Sequence, residues 1–210
     1  MPSRRPGNAA GRRRRALAAA RRVKASTTNP RQRILVAADR LFYGNGITNV
    51  GVQQLVDEAE VTRVTFYRHF PSKDDLVLAY LQDRAVRAHE AVGGLLAQYD
   101  GDPRGALHAW AVAVTQDGVI DEYRGCTFVN AAAEYGDPDH PVRRAAIAQR
   151  TWVAETTAEL LRQAGHPEPE VASRVLLALR TGFVFASGLE DPPGAAEEFI
   201  AASDRVVDQY

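Results

Sequence analysis

Between residues 62 and 73 the chain concentrates side chains that donate hydrogen bonds or carry positive charge: Thr62, Arg63, Thr65, Tyr67, Arg68, His69 and Lys73. A short helix enclosed in a core has no use for so many donors. On a surface, guanidinium, imidazole and hydroxyl groups reach base edges, and hydroxyl and ammonium groups reach phosphate oxygens. These residue types therefore point to nucleic-acid recognition. Arg63, Thr65, Arg68 and His69 are the expected groove contacts, and Thr62, Tyr67 and Lys73 the expected phosphate contacts.

Covalent chemistry has much less to work with. The five histidines, His69, His89, His108, His140 and His166, show no HExxH pattern and no paired short spacing of the kind that holds zinc. A P-loop, a GxSxG elbow and a GxGxxG turn are also missing. Cys126 could act as a nucleophile beside a histidine brought near by folding, or as a thiol sensor, or it could simply be a small buried residue. As the single cysteine it forms no intramolecular disulfide and fits a reducing cytoplasm. No catalytic residue, metal or cofactor is expected.

A second group of residues suits a different task. Between Tyr123 and Arg144, Phe128, Asn130, Glu134 and Tyr135 mix aromatic surface with donors and acceptors, as an enclosed small-molecule site requires. Trp110, Cys126 and Trp152 are further candidates for such a site. For each of these residues ordinary core packing is the alternative.

The elements that must carry these groups are helical. In VQQLVDEAEVTRVTFYRHF, Val52 to Phe70, the residues Val52, Leu55, Val56 and Ala59 form one face at helical spacing. After a turn near Glu60 a second set, Val61, Val64 and Phe66, begins. The break is too short for a linker, so two short helices must pack at a steep angle. Before them, Asn29-Pro30 is a helix start, Ile34, Leu35, Ala38, Leu41 and Phe42 share a face, and Gly44 to Gly46 ends a helix of about four turns. After them, Ser72 with Asp75 forms a capping-box pattern that opens a long helix. Lys73 in its first turn opposes the helix dipole, and a bound phosphate would supply the counterpart. Gly93-Gly94 is expected to interrupt that helix, as a close contact, a kink or a flexing point.

Further along, Asp102-Pro103 starts another helix, and Glu170 to Ser187 is apolar on more than one face through Val171, Val175, Leu176, Leu179, Phe183 and Phe185. Such a helix needs a second partner surface. Ala195 to Val207 sets Phe199, Ile200 and Val206 against acids. No apolar stretch approaches the roughly 20 residues a membrane span requires, and no secretory signal is evident. A cytoplasmic protein without membrane contact is therefore expected.

A net charge of zero hides a division along the chain. Residues 1–73 hold 15 Lys or Arg against 4 Asp or Glu, and the remainder hold 11 against 22. A basic first third fits a polyanion, and the acidic remainder has no reason to approach one. Residues 1–29 carry nine of the basic groups and no acid, so this arm is expected to be disordered when free. It serves either as extra phosphate or minor-groove contact or as a solvated tail.

RILVAADRLFYGNGITNVGVQQLVDEAEVTRVTFYRHFPSKDDLVLAYL resembles the DNA-binding domain of the TetR family of transcriptional regulators over about fifty residues without a gap. The features that carry the resemblance are Ala-Ala-x-x-Leu-Phe in the first helix, Gly46, the two short helices, Phe-Tyr-x-x-Phe and the Pro-Ser-Lys junction. The resemblance implies an all-α fold with a helix-turn-helix domain at 30–75 and a larger ligand-binding and dimerisation domain at 76–210. It also implies a homodimer through the last two helices, a small-molecule effector, and a pseudopalindromic double-stranded operator, most often repressed.

The chain departs from the family's pattern at three places. Val50-Gly51 stands where a Thr and a Ser or Thr cap are usual, Glu60 replaces a turn glycine, and Val64 replaces a small residue in the reading helix. A thiol response through Cys126, a small helical enzyme, or a non-specific nucleic-acid-binding protein built on the arginine-rich arm are the competing readings.

Overall fold

The computed structural model describes residues 29–117, 125–187 and 194–208, and all the regular structure among them is helical. The basic arm lies almost wholly outside the described residues, so the expectation for it is not addressed.

α1 (Pro30–Asn45) opens as its sequence demands: Asn29 Oδ1 accepts from the Gln32 amide at 2.9 Å, with proline at the first helical position. It ends at Gly46, whose φ of 84° is open to a residue without a Cβ. α2 (Val52–Glu58) is capped by Gly51, and Gln54 turns back to accept from the Gly51 amide at 2.8 Å. The glycine thus leaves one half of a capping box in place. Glu60 closes the α2–α3 turn at φ 52°, the left-handed conformation that a glycine would adopt more easily. α3 (Arg63–His69) is capped by Thr62 Oγ1, which accepts from the Thr65 amide at 3.1 Å. α4 (Lys73–Gln98) starts at a complete capping box, with Ser72 and Asp75 each accepting from the other's amide at 3.0 Å.

The expected interruption of α4 does not occur. Gly93 and Gly94 lie within a continuous helix, exposed, with no atom within 4 Å of where a Cβ would stand. Close packing at these positions does not account for them. α4 packs against α5 and α7, and its buried residues Leu76, Val77, Tyr80 and Leu81 lie well before the two poor helix formers.

The remaining elements are α5 (Pro103–Asp117), α6 (Thr127–Glu134), α7 (Pro141–Gln163), α8 (Pro169–Ser187) and α9 (Ala195–Asp208). α7 packs against α4, α5, α6 and α8, and α9 packs against α5 and α8. The first core cluster gathers Ile34, Leu55, Phe66 and Leu76, none of them measurably exposed, and continues through Tyr80 and Leu81 to Ala131 and Val142. A division at residue 75 therefore falls inside one packed cluster. Two smaller clusters hold the C-terminal helices: one around Leu107, Leu161 and Leu176, the other around Ala111, Val184 and Phe199.

Candidate nucleic-acid interface

α3 buries Phe66, and Phe70 follows it inward one turn later. Their rings, 6.3 Å apart, anchor the helix on the head's core. With that side fixed, Arg63, Val64, Tyr67 and Arg68 face outward. Val64 is the one apolar residue of this group that stands clear, at 78 % exposure, so it does not extend the inward set of half-buried Val61 and buried Phe66. The Arg63 guanidinium lies 5.8 Å from the Tyr67 ring centroid, an arrangement that holds a long side chain in place. Thr65 is half-buried, and its hydroxyl is 2.9 Å from that of Thr62. His69 is also half-buried; its Nε2 is enclosed without a hydrogen-bond partner, which turns that atom away from the outward face.

Lys73 stands at a junction of charges. Burial is the main influence on its ammonium and lowers its pKa, while Asp74 and Glu134 act in the opposite sense. Two carboxylates thus already face the position for which the sequence suggested a bound phosphate as counterpart.

Glu134, at the end of α6, reaches back to the loop between α1 and α2. Its Oε1 accepts from the Ile47 amide at 2.9 Å; its Oε2 accepts from the Thr48 amide at 2.6 Å and the Thr48 hydroxyl at 2.8 Å. Partial burial works against ionisation, but these donors together with Lys73 outweigh it and hold the carboxyl below its ordinary range. A second contact lies beside it. The Tyr135 hydroxyl donates to Asp74 Oδ1 at 2.9 Å, and burial, then this bond to a carboxylate, raises the phenol's pKa and keeps it a donor. α6 is thus fastened at two points to the segments that flank the helix-turn-helix.

The residues expected to enclose a ligand fall in several settings. Asn130 and Glu134 share the lining of a cavity against α1 and α4. Phe128 and Tyr135 pack on the head's core. Trp110 sits between the two C-terminal clusters, and half-buried Cys126 joins the second of them. Trp152 stacks on His89 with ring centroids 3.8 Å apart. The sequence carried no sign of the Glu134 clamp, whose partners stand 86 and 87 residues away. Tyr80, which also lines that cavity, read only as part of an apolar helix face.

Two short helices joined by a tight turn, the second displaying arginines above a buried aromatic pair, define a helix-turn-helix DNA-binding regulator. The model of "Bacterial regulatory proteins, tetR family" matches residues 34–80. A TetR-family transcriptional regulator from Streptomyces coelicolor, solved by crystallography, is 39 % identical, with a TM-score of 0.82 over 86 % of this chain and 95 % of that one. The chain belongs to the TetR family of transcriptional regulators. It is also similar to the repressor BepR of Brucella suis, 29 % identical over 78 % of this chain and 83 % of that protein. The repressor NemR of Escherichia coli is 29 % identical over 55 % of this chain and 58 % of its own length. The chain thus spans little more than half of NemR, and the crystal structure of reduced NemR, at 22 % identity and a TM-score of 0.74, shares its fold. No described helix is long and apolar enough to cross a membrane.

Proposed function

We propose that this chain is a cytoplasmic, homodimeric repressor that leaves a pseudopalindromic operator when a small-molecule effector binds its C-terminal domain. The observation that carries the reading is the outward side of α3, where Arg63, Val64, Tyr67 and Arg68 stand exposed over a buried Phe66. In this reading Arg63, Thr65 and Arg68 contact base edges, His69 at the helix end does so through Nδ1 because its Nε2 is enclosed, and Thr62, Tyr67 and Lys73 approach phosphates. Val64 meets a thymine methyl.

The two-fold is formed by α8 and α9. Val171, Val175, Ala178, Gly182 and Phe185 make an exposed stripe at alternating spacings of four and three along α8, broken only at its flank by Arg174. An apolar stripe of this length is satisfied by a copy of itself. Two heads related in this way read half-sites one helical turn or more apart.

Selection of bound duplex from a random pool, followed by gel shifts, tests the assignment. Arg63→Ala and Arg68→Ala should each lose about 1–3 kcal/mol of affinity for the selected duplex and relax specificity at one position. Parental affinity in both variants would refute it.

A further inference from the structure

Tyr80, on α4, is 1 % exposed, and its hydroxyl makes no hydrogen bond. Thr127 lies near enough to ease its ionisation without reaching hydrogen-bond geometry. Buried hydroxyls are nearly always paired, so an enclosed and unpaired one on a residue that lines a cavity marks a place where another polar atom fits. The cavity here measures about 140 Å³ and lies between α1, α4 and α6. Phe42, Tyr43 and Ile47 supply apolar walls, and Thr127, Asn130 and Glu134 supply the polar side opposite. At roughly 10–15 Å³ for each water-sized volume, it has room for on the order of ten small atoms. A single ring fits that volume, and exposed Asn130 marks the side on which the cavity meets solvent.

The charge of the site selects further. Glu134 is ionised, and its two oxygens already accept from the α1–α2 loop while bordering the cavity. An anion would be repelled there. A donor on the ligand would be attracted to the same oxygens that hold Ile47 and Thr48, and would compete with those amides. We propose that the junction cavity binds a small single-ring molecule bearing a hydrogen-bond donor and no negative charge, and that its binding loosens the Glu134 clamp on the loop entering α2. The regulatory role of this site rests on the repressor reading; the binding itself does not. Because the loop leads directly into the helix-turn-helix, a ligand that favours the loosened state shifts the head away from its DNA-competent placement.

The test titrates the full chain with phenol and benzylamine, using benzoate as the charge-reversed control and toluene as the donor-free one, while the Thr127 methyl and Asn130 side-chain amide signals are followed by NMR. Phenol and benzylamine should shift those signals with affinities about ten-fold above toluene, and benzoate should leave them unmoved. Tyr80→Phe, which keeps the ring and the packing, should weaken phenol and benzylamine about ten-fold without changing toluene. Binding of benzoate as tight as benzylamine, indifference to Tyr80→Phe, or no shift with any probe would each overturn the site.

Hydrogen exchange reads the clamp separately. Saturating phenol should speed exchange of the Ile47 and Thr48 amides by about ten-fold. Unchanged exchange in the ligand-bound protein would overturn the loosening. Failure of the chain to select any duplex would remove the repressor reading, while both NMR outcomes would still decide the cavity and the clamp.

Discussion

α3 and α8 each bury one side and leave apolar atoms on the other, but the neighbours of those exposed atoms differ. On α3, exposed Val64 and Tyr67 stand among Arg63 and Arg68. On α8, exposed Val171, Val175 and Phe185 stand among Ala178, Gly182 and Ala186. A surface with arginines around a few apolar contacts suits a polyanion whose grooves carry methyl groups. A stripe of small and apolar residues has no such complement and suits a like surface. Exposure of hydrophobic side chains alone does not separate the two; the charge and size of the intervening residues do.

The largest effect should come from the buried side of α3. Phe66 is not measurably exposed and holds the helix through its contact with Phe70. Phe66→Ala should destabilise the protein by about 3–5 kcal/mol, visible as a lowered denaturant midpoint. A loss below about 1 kcal/mol would show that α3 does not depend on that anchor. The matching change on α8 is Phe185→Asp, at a side chain 68 % exposed in the single chain. Ultracentrifugation should show a monomer at concentrations where the parent is dimeric, with helical content retained, because an unpaired carboxylate at an apolar interface costs about several kcal/mol. If the variant stays dimeric, the α8 stripe is not the two-fold contact.

Glu134 sharpens the comparison from the side of the junction. Its folded pKa is depressed, so the clamp's contribution is complete above the ordinary carboxyl value and is lost as pH falls through the lowered folded one. Glu134→Gln removes that titration. The difference in melting temperature between parent and variant should therefore be constant near neutrality and shrink below about pH 4.5, the reference value for the free carboxyl. A difference that grows on acidification would contradict the assigned direction.

Local chemistry was legible where one residue decides a boundary. Asn29-Pro30 starts α1, Gly46 stops it and Ser72 with Asp75 starts α4, because caps act over three or four residues. Val64 was misplaced by periodicity. Two residues before Phe66 it lies about 200° around the helix, on the opposite side from the anchor. The Gly93-Gly94 pair does not end α4 as propensity suggested, because propensity is a local quantity and two poor helix formers can be carried within a long helix. Which neighbours Trp110, Cys126 and Trp152 meet, and the meeting of Glu134 with Thr48, depend on which ends of distant helices come together, and hydrophobic spacing contains no term for that.

The smallest predicted effect concerns the turn that sets α3 at its angle to α2. Glu60 occupies φ 52°, the single non-glycine residue with positive φ among those described. For an L-residue with a Cβ this conformation costs about 1 kcal/mol, whereas glycine adopts it freely. Glycine's greater freedom in the unfolded chain offsets part of that gain. Glu60→Gly should accordingly stabilise the protein by somewhat less than about 1 kcal/mol in denaturant unfolding. Removal of a carboxylate two residues before the Thr62 cap should also raise affinity for duplex DNA slightly at low salt, an effect that screening diminishes as salt increases. If Glu60→Gly is destabilising, the side chain contributes contacts that exceed the backbone strain, and the turn is held by Glu60 rather than in spite of it.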